Sequence, residues 1–479
     1  MRAGADRSVP KLWIPHRYQN TCVQFLHETT TLNPDGQGGG ALFLDPGLGK
    51  TSSVLEWIRQ MKEFGYANRV LIVAPLRVVY QVWPSEIEGW TNFRHMSYSI
   101  VHGTAQVRRK RLATQTSIHI INRDAVGWLE KQLQGRKVLP WQAVVIDEST
   151  SFKNWSSSRS KALRKIVERI PYRTILTGTP APRNLADLFP QIWLLDKGKA
   201  LGENITRFRE QYCMQIGERK MNNFAFRTDM RDQIQSAINH LVLRLDAKDH
   251  LSIPEVTFHD IVVDLPPAAR LQYDVLEKEM FLALQDAERG IVNAGAKYNA
   301  CRQVANGGIY DDQHKPHHLH DAKTEACVDL INELQGKPLL IAYQFEHDVQ
   351  RLERAIKGLH IIRGGTKESK IQEIIDRWNS NTLDPPYLAV QPQALSYGVN
   401  CQWGECRDVL WYGPTDNLDI YLQFNARIHR QGVGSAVRIH RLCSVDTIDE
   451  VVWARTDEKD DVQSKLLDVL RDYARAKMG

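Results

Sequence analysis

The stretch ALFLDPGLGKTSSVLEWI, Ala41 to Ile58, decides how the rest of the chain is read. An apolar run enters a glycine-containing turn, and apolar side chains then recur at helical spacing. A strand, a glycine turn and a helix N-terminus in that order bind phosphate. Glycines let backbone N–H groups close around the anion, and the helix end adds positive potential. Gly47 and Gly49 shape the turn, Lys50 is placed to reach the β and γ phosphates of a nucleotide, and the Thr51 hydroxyl to hold Mg²⁺. Leu44 stands where the strict pattern has a further glycine.

A phosphate loop of this kind needs an acidic partner at a strand end, and AVVIDEST (143–150) supplies one. Asp147 is expected to hold the Mg²⁺, and Glu148 to orient and deprotonate the attacking water. Neighbouring residues on a strand face opposite sides, so both can serve one site only if the strand ends irregularly there. Further short apolar, β-branched runs surround these two: RVLIVAP (69–75), SIHIIN (117–122) and RTILTGT (173–179) in the first half. KPLLIAY (337–343), LHIIRGG (359–365), YLAVQP (387–392), RDVLWYG (407–413) and AVRIHRL (436–442) follow in the second. Continuous apolar strands alternating with helical stretches predict parallel sheets covered on both faces. The two groups flank a helical middle, PPAARLQYDVLEKEMFLALQDAERGI (266–291), so two α/β lobes are expected, joined near residue 245.

At 479 residues, 42% hydrophobic and 25% charged, the chain has the length for two or three domains and an ordinary globular composition. A formal charge of +6 permits a polyanionic partner without demanding one. Seven scattered cysteines make neither a disulfide framework nor a zinc set, and they read as reduced thiols. The opening MRAGADRSVPKLW lacks the apolar run of a signal peptide, and no run of about 18 apolar residues follows, so a soluble intracellular protein with no membrane partner is expected. NPDGQGGG (33–40) reads as a flexible glycine-rich loop, and the four histidines of DDQHKPHHLHD (311–321) as a solvated loop rather than a metal site. VRRKR (107–111) is a basic cluster on a helix, and the 12 tryptophans read as core.

Taken in order, the segments resemble a superfamily 2 helicase-type ATPase, and more narrowly the Swi/Snf-like DNA translocases of the compact, phage-encoded type. IPHRYQ resembles the family's N-terminal glutamine motif, and LIVAPLRVVYQVWPSEIEGW the segment after the second strand, with Trp83, Glu86 and Trp90 in the expected places. DESTSFKN, LTGTPAPRNLADLF, LRLDAKDHLSIPEV, QPQALSYGVNCQW, QFNARIHRQG and SVDTIDEVV match later motifs in sequence. Ser149-Thr150 replaces the small residue and histidine usual in the acidic box, and the glycine-rich fifth motif keeps only Gly398 and Asn400.

The resemblance covers nearly the whole chain. It implies two tandem RecA-like lobes, 1–245 and 246–479, the second carrying a mostly helical insertion at about 266–335. It implies ATP with Mg²⁺ in a cleft between them. Gln19 would read the adenine edge, and Thr177 and Thr179 would couple hydrolysis to movement. Arg427 and Arg430, one helical turn apart, would bring charge to the departing γ-phosphate. Asn122, Arg123, Lys153 and Ser396 would contact nucleic acid. The implied activity is ATP-driven movement along duplex DNA, gripped by its phosphates without sequence preference. A strand-separating DNA or RNA helicase and an ATP-gated binding clamp without turnover are the alternatives. A recruiting protein is a further expected partner, and the cytoplasm of a bacterial or phage-infected cell the expected setting.

Overall fold

Every apolar run picked out above forms a strand in the computed structural model, which describes residues 11–33, 38–178, 185–215, 224–227, 230–251, 256–285, 290–395, 401, 404–429, 436–457, 473–474 and 477. The chain divides at Leu251 into two compact units.

The first unit is built on β1 (Gly38–Leu44), β2 (Val70–Ala74), β3 (Tyr98–Val101), β4 (Ile118–Asn122), β5 (Ala143–Asp147), β6 (Tyr172–Thr177), the small hairpin of β7 (Cys213–Gln215) and β8 (Phe224–Phe226), and β9 (Val242–Leu245). Seven of these strands form one sheet in the order β3-β4-β2-β5-β6-β1-β9. Every pairing in it is parallel. All residues of β1, β2, β4 and β5 are buried, as strands covered on both faces must be, and this is why they read as unbroken apolar runs. The edge strand β3 instead alternates half-buried and buried residues, which leaves a weaker signal in the sequence.

β1 corrects the sequence reading. Gly38–Gly40, expected in a flexible loop, are buried strand. They are glycine because neighbouring groups leave no room for a side chain. A Cβ on Gly39 would lie 2.7 Å from the Leu195 carbonyl oxygen, on the helix Leu188–Asp196, and one on Gly40 would lie 2.3 Å from the Thr29 hydroxyl. Close approach of elements is thus what the triplet provides.

The second unit holds β10 (Val256–Val263), the hairpin of β11 (Gly308–Tyr310) and β12 (Pro316–His318), and β13 (Leu339–Ala342), β14 (His360–Ile362), β15 (Tyr387–Val390), β16 (Asp408–Trp411) and β17 (Val437–Ser444). Its main sheet, β10-β17-β16-β13-β15-β14, is also wholly parallel. The expected helical middle is present as Pro267–Gln285, Gly290–Asn306 and Ala322–Glu333. The histidine segment between the last two is the β11–β12 hairpin rather than an irregular loop. His317 pairs with Asp311 at 2.8 Å and His318 with Asp321 at 2.9 Å, while buried His320 donates to the Val304 carbonyl at 2.8 Å. Burial pushes the His320 imidazole down to about 4, so it is neutral near pH 7. Among the described residues no cluster of acidic, histidine and cysteine side chains could hold a metal ion.

Buried polar and charged groups tie these helices to one another and to neighbouring segments of the second unit. Lys323, fully buried, donates to Asn306 Oδ1 at 2.7 Å and to Asp449 Oδ2 at 2.5 Å. Asn306 donates to Asp348 at 3.0 Å, and Arg351 donates to the Asn306 carbonyl at 2.5 Å. Arg302 and Tyr298 both hold Asp416, at 2.7 and 2.5 Å. The seven cysteines are free thiols, six of them buried. No described helix is long and apolar enough to cross a membrane.

Two outcomes follow for stability. Gly39→Ala is expected to lower the unfolding free energy of the first unit by about 1–3 kcal/mol through overpacking. Lys323→Ala leaves Asp449 buried without its cation and is expected to cost about 3–5 kcal/mol in the second unit. Urea unfolding followed by circular dichroism checks both.

Candidate active site

Parallel register brings the first unit's chemistry to one edge of its sheet. Asp147 pairs with Leu176, Phe43 with Thr177 and Ala74 with Asn122. The C-terminal ends of β1, β2, β4, β5 and β6 are therefore level, and the segments that leave them carry the expected site residues. Crevices outside the carboxyl ends of strands are where open α/β sheets bind ligands.

From β1 the chain turns through Gly47 (φ 95°) and Gly49 (φ 69°) into the helix Lys50–Glu63. Both glycines lie in the left-handed region, which a side chain would strain. The turn is pinned from β9: Asp45 donates its N–H to the Leu245 carbonyl at 3.2 Å and accepts from Ala247 N–H at 2.9 Å. Lys50 folds back on its own loop, donating to the Leu44 carbonyl at 2.7 Å and that of Asp45 at 3.3 Å. Its charge thus lies within the turn, at the N-terminal end of a 14-residue helix. Thr51 follows, half-buried in the first helical turn.

Gln19 packs against this turn. It is buried, accepts the His16 N–H at 2.9 Å as part of its own helix cap, and holds its side-chain nitrogen 2.3 Å from where a Gly49 Cβ would be. The structure brings it to the phosphate loop.

At the end of β5, Asp147 is 8% exposed. Burial pushes its carboxyl above the usual range, against the pull of the Lys50 ammonium, the Trp83 indole and the Glu148 N–H. Trp83 Nε1 donates to Oδ2 at 3.1 Å, and Glu148 N–H to Oδ1 at 3.0 Å. Glu148 itself has φ 50° and ψ 57°. A non-glycine residue there is uncommon, and such strain clusters at functional sites. It is also the irregular strand end that the paired carboxylates require, since it breaks the alternation that would turn Glu148 away from Asp147's side. A buried carboxylate with a lysine close by and a hydroxyl at the adjoining helix start is a donor set of hard oxygens, which suits Mg²⁺. Thr51 and Asp147 are the residues that would hold it.

The acidic box is linked onward to Gln191 and Asp187, which the sequence reading did not single out. Ser149, fully buried, donates to Gln191 Oε1 at 2.6 Å, and Gln191 donates to the Asp187 carbonyl at 2.8 Å. Lys153 pairs with Asp187 at 3.7 Å. Thr150 makes no side-chain hydrogen bond to a described residue, so the link from the box to the segment after β6 runs through Ser149 and Lys153. Thr177 is buried at the end of β6, while Thr179 lies outside the described residues. Asn122 is buried at the end of β4, and Arg123 next to it donates to Ser151 Oγ at 2.7 Å. Ser396 is outside the described residues.

In the second unit the helix Leu418–Asn425 stops before the arginine pair. Ala426 caps it, and Arg427 lies in the turn beyond, 8% exposed, its carbonyl accepting the Cys401 N–H at 3.2 Å. Turn bonds continue past the helix end, with the His429 N–H on the Asn425 carbonyl at 3.0 Å. The helix ends where Trp411 Nε1 holds the Asn425 side chain at 2.9 Å and Ile428 enters the core. Arg430 lies outside the described residues.

The model of the SNF2-related domain matches residues 18–304, more than half of the chain. The chain belongs to the SNF2-related family. It is an ATPase of that helicase-like group. It is 31% identical over 476 residues to protein p41 of Acyrthosiphon pisum secondary endosymbiont phage 1, covering 96% of this chain and 99% of that one. It is 24% identical to the Uncharacterized ATP-dependent helicase MG018 of Mycoplasma genitalium, over 94% of this chain but 42% of that protein. To the ATP-dependent helicase/translocase YwqA of Bacillus subtilis it is 22% identical, over 90% of this chain and 46% of that protein. Apart from the phage protein, these relatives are thus more than twice its matched length. Among solved structures, the Sulfolobus solfataricus SWI2/SNF2 ATPase core in complex with dsDNA aligns with 99% of this chain and 97% of that one, at 18% identity and a TM-score of 0.45.

Lys50→Ala is expected to weaken nucleotide binding about tenfold to a hundredfold, the worth of a charge-assisted hydrogen bond to phosphate. Titration with a fluorescent ADP analogue checks this independently of turnover.

Proposed function

We propose that this SNF2-related ATPase hydrolyses ATP to move along duplex DNA, which it grips through the phosphates. One observation supports the reading most: the phosphate loop, the Asp147–Glu148 pair and the segments after β2, β4 and β6 leave the same edge of one parallel sheet. Nucleotide chemistry and the expected nucleic-acid contacts are then a few residues apart. The names of the bacterial relatives, helicase and helicase/translocase, agree with this.

In this reading the backbone of Gly47 to Lys50 and the Lys50 ammonium hold the β and γ phosphates. Mg²⁺, when bound with the nucleotide through Thr51 and Asp147, supplies positive charge at those phosphates. Glu148 orients water for in-line attack and accepts its proton. Gln19 sets the nucleotide's position against the loop. Arg427 and Arg430 stabilise the charge that develops on the γ-phosphate, acting on the transition state more than on the ground state. Thr177, Thr179, Ser149 and Lys153 pass the state of the site to the segments that touch DNA, among them Asn122, Arg123 and Ser396.

The deciding experiment measures ATPase rate in parallel without nucleic acid, with single-stranded DNA, duplex DNA and RNA. Duplex DNA is expected to stimulate most, and equal rates in all four would remove the DNA motor. Glu148→Gln should bind ATP and DNA yet turn over about 10²–10⁴-fold more slowly. Arg427→Ala should bind ATP within a few-fold of the parent and lose about 10³–10⁵ in stimulated turnover. Stimulated turnover of Arg427→Ala within about threefold of the parent is far too small a change for a lost charge-stabilising arginine, and would show that the second unit contributes none.

A further inference from the structure

The segment after β2 contains a local irregularity with a chemical end point. Val78–Val82 forms a π-helical turn, closed by the Trp83 N–H on the Val78 carbonyl. Such turns are rare and concentrate at functional sites, because one extra residue rotates everything after it by roughly 100° about the helix axis. The rotation here has a definite result. Trp83, the first residue of the helix Trp83–Gly89, is fully buried and donates its indole N–H to Asp147 Oδ2 at 3.1 Å. The other side of the same turn faces outward. Leu76 is 41% and Tyr80 47% exposed, and the Tyr80 hydroxyl meets the His102 ring at 2.9 Å.

Asp147 has two oxygens with separate fixed partners. Oδ1 is held by the backbone N–H of strained Glu148, which is local to β5. Oδ2 is held only by Trp83 among the described residues, and Trp83 comes from another strand's exit, 64 residues earlier. The carboxylate plane therefore depends on where the π-turn places one indole. Indole is a donor only, so it orients the carboxylate without competing for a cation.

We propose that Trp83 is a positioning residue for the nucleotide-bound metal site: its N–H fixes the Asp147 carboxylate, and the π-turn makes that orientation respond to nucleic acid lying against Leu76 and Tyr80. The inference rests on the reading of Asp147 as the metal-holding carboxylate. It gives the turn a task that apolar packing alone does not require, since Val78 and Val79 already anchor it in the core.

The test measures affinity for a fluorescent ADP analogue in excess Mg²⁺ and in EDTA, with and without duplex DNA. Trp83→Phe keeps an aromatic ring and removes the donor. Its affinity in EDTA should match the parent's, while the gain on adding Mg²⁺ should fall about tenfold, as for a lost hydrogen bond to a charged group. Stimulation of turnover by DNA should fall with it. Trp141→Phe is the matched control. Trp141 is also buried and donates its indole N–H to a side chain, His119 Nδ1 at 3.1 Å, but it precedes β5 and lies away from the carboxyl edge. It should leave both ratios within about twofold, since no charged group loses a partner. If Trp83→Phe does not fold, benzothienylalanine placed at position 83 keeps the shape and lacks only the N–H. A Mg²⁺ gain and DNA stimulation equal to the parent's in either Trp83 variant overturns the proposal. Asp147→Asn separates the two levels: if it keeps the full Mg²⁺ gain, the assignment of Asp147 itself is wrong, whereas loss there with a normal Trp83 variant refutes only the positioning role.

Discussion

The parallel register of β1, β6, β5, β2 and β4 is the constraint on which the first unit's chemistry depends. Parallel strands all exit on one side, so five connections must leave a strip a few strands wide. The phosphate loop, the two carboxylates, Thr177 and Asn122 share that strip because the sheet leaves them no alternative. The glycines at 38–40 let two helices, Arg17–Thr29 and Leu188–Asp196, approach β1 closely.

Within the strip, charge and backbone shape act together. Burial alone disfavours an ionised Asp147. Lys50, the Trp83 indole and the Glu148 N–H each offset part of that cost, and each comes from a different connection. Glu148 adds its own N–H to this set, and its left-handed backbone ends the strand's alternation at that residue. The fully buried Ser149 and its bond to Gln191 continue the set into the helix after β6. Four consecutive residues, Ile146 to Ser149, pass from core strand to chemistry to coupling.

Much of this was legible in the amino-acid order, and the failures have physical reasons. Strands buried on both faces appear as unbroken apolar runs, and those were read correctly. Edge strands such as Tyr98–Val101 and Val256–Val263 carry polar or exposed residues and escaped notice. Gly38–Gly40 looked like a loop because composition cannot distinguish glycine used for freedom from glycine used for closeness. The end of the helix before Arg427 could not be read from local sequence, because the Trp411 bond to Asn425 there comes from a separate strand. Trp83 was noticed as a motif residue, but its partner lies 64 positions away. Only a rotation by the π-turn, which leaves no compositional trace, brings the two together. The links that Ser149 and Lys153 make, to Gln191 and Asp187, likewise join residues distant in sequence.

The buried ion pair of the second unit bears on how the chain is made. Lys323 and Asp449 are separated by 126 residues, Arg302 and Asp416 by 114, and Tyr273 and Ile448 by 175. During vectorial synthesis at about 5–20 residues per second, Lys323 leaves the ribosome roughly 6–25 s before Asp449, its anionic partner among the described residues. Over that interval the strands β13 to β16 are made, but the lysine ammonium still needs water. The first unit waits in the same way for β9, whose Ala247 N–H reaches back 202 residues to Asp45, but it is complete in sequence by residue 251. A nascent chain stalled between Lys323 and Asp449 therefore has every residue of the first unit already made, together with a lysine whose buried anion has not yet been added.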